Sequence, residues 1–303
     1  MATFTAKRIL CPVDFSDQSA MALRIAGMVA LAFGVEVTVL HVQHLEAPVY
    51  FTAAQTKALQ AQLQRSARSA KKHISEFAQV YLPPAVTRHT LVVQAEPVSA
   101  ILKIQHEIGA DLIAMGTHGR GGLARVRMGS IAESILHQAG VPILTVGPQM
   151  KGAPAMGPIR RVLCPVDYIP SAENSLGYAA ALAEKTGAEL RVAHIDEAPV
   201  DQDSQDSLRH LCDWVPATVR AHCAVREVVR RGSAAAQIIQ EAEESYADLL
   251  VIGAQPRNLL GSILLGSTTE LVIRSAPCPV LSVIDKKTPT SDLSVEEATH
   301  AHL

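Results

Sequence analysis

A glycine-rich segment at residues 116–130 carries the residue types that can hold an anion. It reads Gly-Thr-His-Gly-Arg-Gly-Gly-Leu-Ala-Arg-Val-Arg-Met-Gly-Ser. Glycines allow the backbone to approach a ligand closely, and arginine guanidinium groups pair with phosphate oxygens. A helix that begins at Ser130 would add its free N–H groups and its dipole. The segment therefore predicts a phosphate-binding loop.

A long turn whose glycines serve backbone geometry alone is the alternative interpretation. Arg120, Arg125 and Arg127 lie close together in this segment, and such a turn has no structural need of them. His118 is either a further ligand contact or a solvent-exposed side chain. The P-loop string GxxxxGK followed by Ser or Thr is absent from the sequence, and the G-x-G-x-x-A string at 119–124 does not open a first strand–helix unit. That context excludes a Rossmann dehydrogenase.

The sequence around this loop occurs twice. Residues 8–14, Arg-Ile-Leu-Cys-Pro-Val-Asp, return as Arg-Val-Leu-Cys-Pro-Val-Asp at 161–167. Residues 110–116 return at 247–253, so the offset between the copies falls from 153 to 137. This difference indicates one deletion in the second copy, between its second and third strands. The chain is therefore a tandem duplication.

Each copy alternates short apolar runs with segments of helical periodicity. In the first copy the predicted strands are 8–13, 35–42, 86–93, 112–115 and 143–146, and the predicted helices are 17–33, 53–81, 98–107 and 130–138. The long second helix shrinks to about 204–213 in the second copy. Continuous apolar strands separated by helices are typical of a parallel sheet covered on both faces. We predict an α/β fold of two tandem, doubly wound, five-stranded, Rossmann-like parallel-sheet domains.

The division of the chain follows from the repeat and from local composition. We place a first domain at 1–148, a linker rich in glycine and proline at 149–158, a second domain at 159–285 and a polar tail at 286–303. Ligands of doubly wound sheets bind at the carboxyl ends of the strands. Asp14, directly after the first strand, and the glycine-rich loop after the fourth strand are therefore expected at one site. Asp14 could also cap the following helix, and the two roles are compatible.

Several of these features together resemble the universal stress proteins in their tandem form. The resemblance covers both copies, and its hallmark is G-x2-G-x9-G followed by Ser or Thr after the fourth strand. Gly116, Gly119, Gly129 and Ser130 satisfy that spacing. The Pro-Val-Asp-Phe-Ser opening at 12–16 and Leu-His-Val at 40–42 are further family features.

This resemblance implies an ATP site in the first domain, with Mg²⁺ accompanying the triphosphate. It assigns adenine to Pro12, Val13, Asp14 and Val42, and ribose and phosphates to Met115, Gly116, His118, Gly119, Arg120, Gly129, Ser130 and Ile131. The implied fold is of the adenine nucleotide alpha hydrolase type. The implied function is a nucleotide-dependent stress-response or regulatory protein with slow or no hydrolysis and no catalytic residue. A slow ATPase and a scaffold with a relic loop are the alternatives.

The second copy departs from the family pattern. Its loop keeps the spacing from Gly253 to Gly266 and Ser267, but Pro256 stands where the first copy has Gly119. Proline has no N–H to offer a phosphate, and Arg257 is the one arginine left in the loop. We therefore expect the second copy to bind nucleotide weakly or not at all.

Composition narrows the possible partners. The 303-residue chain is 48% apolar with a net charge of −2, which argues against a nucleic-acid protein held by bulk charge. The charge is uneven: residues 1–150 carry 13 Lys and Arg against 9 Asp and Glu, and residues 151–303 carry 14 against 20. No window approaches 18 apolar residues and the first residues lack a signal-peptide pattern, so we expect a cytoplasmic protein without a membrane span.

Two further features concern metal binding and assembly. His41 and its repeat His194 are expected to make hydrogen bonds at strand ends, while His210, Cys212, His222 and Cys223 leave a zinc site open. The apolar runs 141–146 and 278–283 end the two copies as edge strands. Because such edges need a partner, we expect the copies to pair there. A homodimer and an unknown protein partner stay open.

Overall fold

The computed structural model describes residues 6–44, 68–118, 128–150, 158–197, 204–254 and 266–284. In the first copy the elements are β1 (Arg8–Pro12), α1 (Asp17–Phe33), β2 (Glu36–Gln43), a helical segment α2 (68–81), β3 (Arg88–Gln94), α3 (Pro97–Ile108), β4 (Leu112–Gly116), α4 (Ser130–Gln138) and β5 (Ile143–Val146). The predicted first part of the long helix, 53–67, lies outside the described residues.

The second copy repeats this order with one change. Its elements are β6 (Arg161–Val166), α5 (Pro170–Thr186), β7 (Glu189–Asp196), α6 (Ser204–Trp214), α7 (Ala217–His222), β8 (Val225–Arg231), α8 (Ala234–Glu244), β9 (Leu249–Ala254), α9 (Ser267–Ser275) and β10 (Val280–Ile284). The short helix α7 was not predicted, because six residues carry too little periodicity to separate a helix from a turn.

The strands form one continuous sheet across both copies. Its order is β3-β2-β1-β4-β5-β10-β9-β6-β7-β8. Within each copy all neighbouring strands run parallel, which confirms the predicted doubly wound α/β fold. Among the described residues, no helix is long and apolar enough to cross a membrane.

The copies meet where β5 pairs antiparallel with β10. Leu144 pairs with Leu281, its own counterpart at offset 137, so an approximate two-fold axis passes between these two leucines. The expected pairing of the apolar edge strands is therefore present. Because the two halves of the sheet run in opposite directions, the carboxyl ends of their strands lie at opposite edges.

Two apolar layers cover the faces of the sheet, and each contains residues of both copies. Along β1, Ile9 and Cys11 enter one layer, while Leu10 enters the other. Burial raises the pKa of the Cys11 thiol, and it raises that of Cys164, its counterpart, to about 12. Both thiols therefore stay protonated and pack as small apolar groups, as expected from their place in apolar strands.

Helix boundaries follow local chemistry that is readable in the sequence. Ser16 caps α1 by accepting a hydrogen bond from Ser19 N at 3.2 Å, and Gly34 ends that helix with φ 67°. Glu96 caps α3 by accepting bonds from Val98 N at 2.9 Å and Ser99 N at 2.7 Å. These caps satisfy N–H groups that the first turn of a helix leaves unpaired.

A buried ion network distinguishes the second copy from the first. Glu241, 4% exposed, accepts from Arg191 Nη1 at 2.8 Å and lies 3.3 Å from Arg230 Nε. The first copy has Thr38, Val93 and Ile104 at the positions equivalent to Arg191, Arg230 and Glu241. The second copy thus carries three charged residues where the first copy has three uncharged ones.

Replacing Glu241 with alanine should lower the free energy of unfolding by about 2 kcal/mol, since two mostly buried guanidinium groups lose their shared carboxylate and keep only Glu189 and Glu244 as partners. Urea unfolding would measure this loss. The matched control carries Arg191→Thr, Arg230→Val and Glu241→Ile together, which restores the first copy's residues and should recover most of it. A Glu241→Ala protein as stable as the original would contradict the expectation.

The two hydroxyls near the approximate two-fold axis give a second test. Thr145 Oγ1 donates to Val280 O at 3.2 Å, whereas the buried Oγ of Ser282 has no hydrogen-bond partner in the described part of the chain. Thr145→Val should lower the free energy of unfolding by about 1 kcal/mol, and Ser282→Ala should not lower it. A larger loss in Ser282→Ala than in Thr145→Val, by the same urea measurement, would refute this.

Candidate functional site

Parallel pairing brings the ends of β1, β2 and β4 to one edge of the sheet. β1 lies between the other two, with Pro12 paired to Leu40 of β2 and Leu10 paired to Ile113 of β4. Just beyond β1, Val13 N donates to Leu40 O at 2.8 Å. The segment that follows Pro12 therefore leaves the sheet beside the end of β2.

The turn after β1 is fixed by Asp14. Its Oδ1 accepts hydrogen bonds from Ser16 N at 3.0 Å and from Ser16 Oγ at 2.6 Å. Ser16 is in turn the N-cap of α1. Asp14 thus supports the start of the helix through Ser16 rather than capping it directly.

A strained aromatic residue follows in both copies. Phe15 has a φ of 64° and Tyr168, its counterpart, has a φ of 61°, a region that residues with a side chain rarely adopt. The ring of Phe15 contacts that of His41 at 4.5 Å between centroids. His41 Nδ1 lies 2.8 Å from Val13 O, and His194 Nδ1 lies 3.0 Å from Val166 O. The expected hydrogen bonds of both histidines are thereby confirmed.

Gly116 at the end of β4 is required by packing. A Cβ at this position would lie 2.8 Å from Gln18 Cβ and 3.2 Å from Ser19 N, in the first turn of α1. Its missing side chain therefore makes room for a helix. For this glycine the structure supports the alternative that it serves backbone geometry, and close approach of a ligand is not needed to explain it.

His118 begins the loop after β4 and is half-buried. Thr117 Oγ1 donates to Val146 O at 3.2 Å and lies 2.9 Å from His118 Nδ1. When the Thr117 hydroxyl donates to Val146 O, the bond to His118 requires the tautomer with a proton on Nδ1, which then donates to the Thr117 oxygen. The Nε2 atom of His118 is buried and has no hydrogen-bond partner within the described residues. A neutral His118 therefore presents an unused acceptor at this atom.

The start of α4 is attached to the end of β4. Gly129 N donates to Thr117 O at 2.8 Å, and the helix begins at Ser130 without a side-chain cap. Ser130 and Ile131 are exposed at this start. The first-turn N–H groups and the positive end of the helix dipole therefore lie beside His118.

The structure places most of the predicted site residues at this edge. Those among the described residues are Pro12, Val13, Asp14, Val42, Met115, Gly116, His118, Gly129, Ser130 and Ile131. The side chain of Met115 is buried in the core, so only its backbone is available to a ligand. Gly119, Arg120, Arg125 and Arg127 lie outside the described residues.

The second copy has a cleft of about 290 Å³ at its own carboxyl edge. Its lining includes Val166, Asp167, Ile195, Gly253, Gly266 and Ser267, which are the counterparts of Val13, Asp14, Val42, Gly116, Gly129 and Ser130. Residues from four separate segments thus converge on one space. We call it the second-copy cleft. The sequence did not predict this cleft, because Pro256 pointed to a weakened loop, whereas the cleft is formed by the strand ends and the start of α9.

Three of the four histidines and cysteines at 210–223 have other partners. His222 Nδ1 lies 2.7 Å from Thr218 O, and Cys223 Sγ donates to Val219 O at 3.3 Å. The ring of His210 packs on Tyr168 at 4.6 Å between centroids. Across the described ranges, no group of three or more His, Cys, Asp and Glu residues is arranged to hold a metal ion.

The fold and the candidate site define a class of protein: two tandem doubly wound α/β domains with candidate ligand positions at the carboxyl ends of their strands. A sequence model described as the universal stress protein family matches residues 5–147 and again 158–283. The chain therefore belongs to the universal stress protein family.

Individual proteins that are similar to this chain are also universal stress proteins. A universal stress protein of Mycolicibacterium smegmatis is 28% identical over 295 residues, covering 91% of this chain and 96% of that protein. One from Methanocaldococcus jannaschii is 32% identical over 141 residues, 46% of this chain and 81% of its own length. The crystal structure of a universal stress protein from Archaeoglobus fulgidus has the same fold, with a TM-score of 0.71 over 93% of this chain and 99% of that one at 24% identity.

Counterpart glycines at the starts of α4 and α9 provide a matched test of the loop. A Cβ on Gly129 would lie 3.0 Å from Thr117 O, whereas one on Gly266 would meet no described residue within 4 Å. Gly129→Ala should lower the free energy of unfolding by about 1–2 kcal/mol by forcing the loop away from β4. Gly266→Ala should be close to neutral. Equal losses for the two variants in thermal unfolding would refute the difference in packing.

Proposed function

We propose that the first domain, residues 1–148, binds ATP and that the chain acts in the cytoplasm as a nucleotide-dependent stress-response or regulatory protein. The observation that carries this proposal is that Asp14, His118 and the start of α4 all lie at the carboxyl ends of the first copy's strands. The second copy supports it, because the counterparts of Asp14 and of the α4 start line one cleft.

The adenine end of the proposed site is built around β1 and β2. The carboxylate of Asp14 is an acceptor that suits the exocyclic amine of adenine, and its position is held by Ser16. Val42 supplies an apolar contact on the neighbouring strand. His41 fixes the backbone between them through its bond to Val13 O.

The phosphate end lies beyond β4. The uncapped start of α4 supplies backbone N–H groups, and the buried Nε2 of His118 lacks a partner within the described residues. A protonated His118 would donate from this atom to a phosphate oxygen. The sequence adds Gly119 and Arg120 in the same loop. Mg²⁺ commonly binds through substrate phosphates and water, so a triphosphate brings much of its own coordination.

Slow hydrolysis is the second candidate function, and His118 is the residue that favours it. Its Nε2, which has no partner among the described residues, could accept a proton from a water beside the phosphates. His118→Gln, which inserts the residue found at position 255 of the second copy, separates the two functions. If the site is regulatory, the unsubstituted chain releases no phosphate steadily, and the variant only binds ATP more weakly. Turnover that disappears in this variant while ATP stays bound would favour the ATPase.

Nucleotide content of the purified full chain is the direct test of the proposal. After denaturation and chromatography, or after equilibrium dialysis with Mg²⁺ and ATP, we expect about one ATP per chain. A Gly119→Val variant should lose it, since a side chain there blocks approach of the backbone to the phosphates. Two ATP molecules per chain would contradict the expected weakness of the second copy. No ATP even after addition would leave the scaffold alternative.

The aspartates after β1 and β6 give a matched pair. Asp14→Asn retains an Oδ1 to accept from Ser16 but presents an N–H₂ group where a second carboxylate oxygen stood, so ATP affinity should fall about tenfold. Asp167→Asn should leave ATP affinity unchanged. Titration calorimetry of both variants measures this. Unchanged affinity in Asp14→Asn would remove Asp14 from the site.

A further inference from the structure

The second-copy cleft has the size and lining of a site for a small ligand. Its volume of about 290 Å³ lies near the lower end of the range for ligand pockets. Ile195, Ile238 and Ile252 give it an apolar wall, and carboxylates and hydroxyls lie around them. The exposed lining is more polar than apolar, so polar groups would orient a ligand that packs on the isoleucines.

The polar lining of the cleft is acidic. Asp167 and Glu197 both contribute carboxylates, and no Lys, Arg or His occurs among its described lining residues. Glu197 stands where the first copy has His44. Residues 255–265, outside the described part, include Arg257, where the equivalent loop of the first copy has three arginines. The second copy thus carries one more carboxylate at this edge than the first, and its sequence has fewer arginines in the loop that follows.

The start of α9 does not reverse this balance. A helix N-terminus carries an effective charge of about +0.5, against the two negative charges of Asp167 and Glu197, which solvent partly screens because both residues are exposed. Placing a phosphate in this cleft would bring further negative charge near both carboxylates. Ser267 and Thr268 at the helix start offer hydroxyls, which suit uncharged partners equally well.

We propose that the second-copy cleft binds an uncharged purine nucleoside and discriminates against the corresponding phosphates. The assignment of a purine rests on the proposed function, because Asp167 and Ile195 occupy the positions that Asp14 and Val42 occupy at the adenine end. The discrimination rests on the carboxylates of the cleft itself. The first copy would then bind the nucleoside triphosphate, and the second the same ring system without phosphate.

Glu197 is held in a position suited to this role. Its Oε1 accepts from Ala234 N at 2.8 Å, which fixes the carboxylate at the start of α8. Carboxylate oxygens accept hydrogen bonds and cannot donate them, so they pair with ribose hydroxyls and repel phosphate oxygens. Opposite, Thr269 Oγ1 donates to Gly253 O at 3.3 Å and ties α9 to the end of β9.

Calorimetric titration of the full chain, first saturated with MgATP, tests the proposal. Adenosine should bind at one site per chain, and AMP should bind at least tenfold more weakly. ATP saturation keeps adenosine out of the first copy. Absence of adenosine binding at millimolar concentrations would overturn the proposal, and so would AMP binding as tight as that of adenosine.

Paired variants locate the site. Ile195→Trp should fill the cleft and abolish adenosine binding without altering ATP binding, and Val42→Trp should do the reverse. Asp167→Asn, a smaller change that keeps the cleft open, should weaken adenosine about tenfold. Circular dichroism verifies folding of each variant. Adenosine binding that survives both Ile195→Trp and Asp167→Asn would overturn the location.

The charge argument has its own test. Glu197→Gln keeps an oxygen to accept from Ala234 N and removes one negative charge, so it should increase AMP affinity several-fold and leave adenosine affinity nearly unchanged. AMP affinity unaffected by this variant would overturn the stated basis of discrimination. Failure of the proposed ATP site would be distinguishable from failure of this proposal. It would appear as an absence of ATP binding by the unsubstituted chain, independently of the result with adenosine.

Discussion

The antiparallel ladder between β5 and β10 is the contact on which the rest of the structure depends. It joins two apolar edge strands that neither copy can leave exposed, and it makes both core layers continuous across the chain. Its near-symmetric register, centred on Leu144 and Leu281, also sets the two halves in opposite directions. The two candidate sites consequently open at opposite edges of one sheet.

The two copies share backbone features at equivalent positions but differ in their charged side chains. The same turn, strained aromatic and strand-end histidine occur after β1 and after β6. The charged residues differ between the copies. Glu197 stands at the position of His44, and the buried network around Glu241 stands where the first copy has uncharged residues. Charge can diverge in this way because the parallel sheet, rather than side-chain polarity, positions the sites.

Two glycines at the ends of the loop after β4 serve packing at positions that the proposed site also uses. Gly116 is glycine because the first turn of α1 occupies the space of its side chain, and Gly129 lies against the carbonyl of Thr117. These contacts bring the start of α4 next to His118, the arrangement that a phosphate would use. The spacing that resembles a nucleotide motif is therefore also the spacing that closes this domain, and each requirement restricts the same glycines.

The sequence by itself determined the duplication, the order and type of nearly all elements, the parallel sheet and the family. These properties depend on periodicity, caps and repeated motifs, which are local along the chain. Only the tertiary structure showed that Gly116 faces a helix, that His118 has a buried atom without a described partner, and that the second copy keeps a cleft. Such features depend on distances between residues far apart in sequence, because packing fixes which surfaces meet and which spaces stay open.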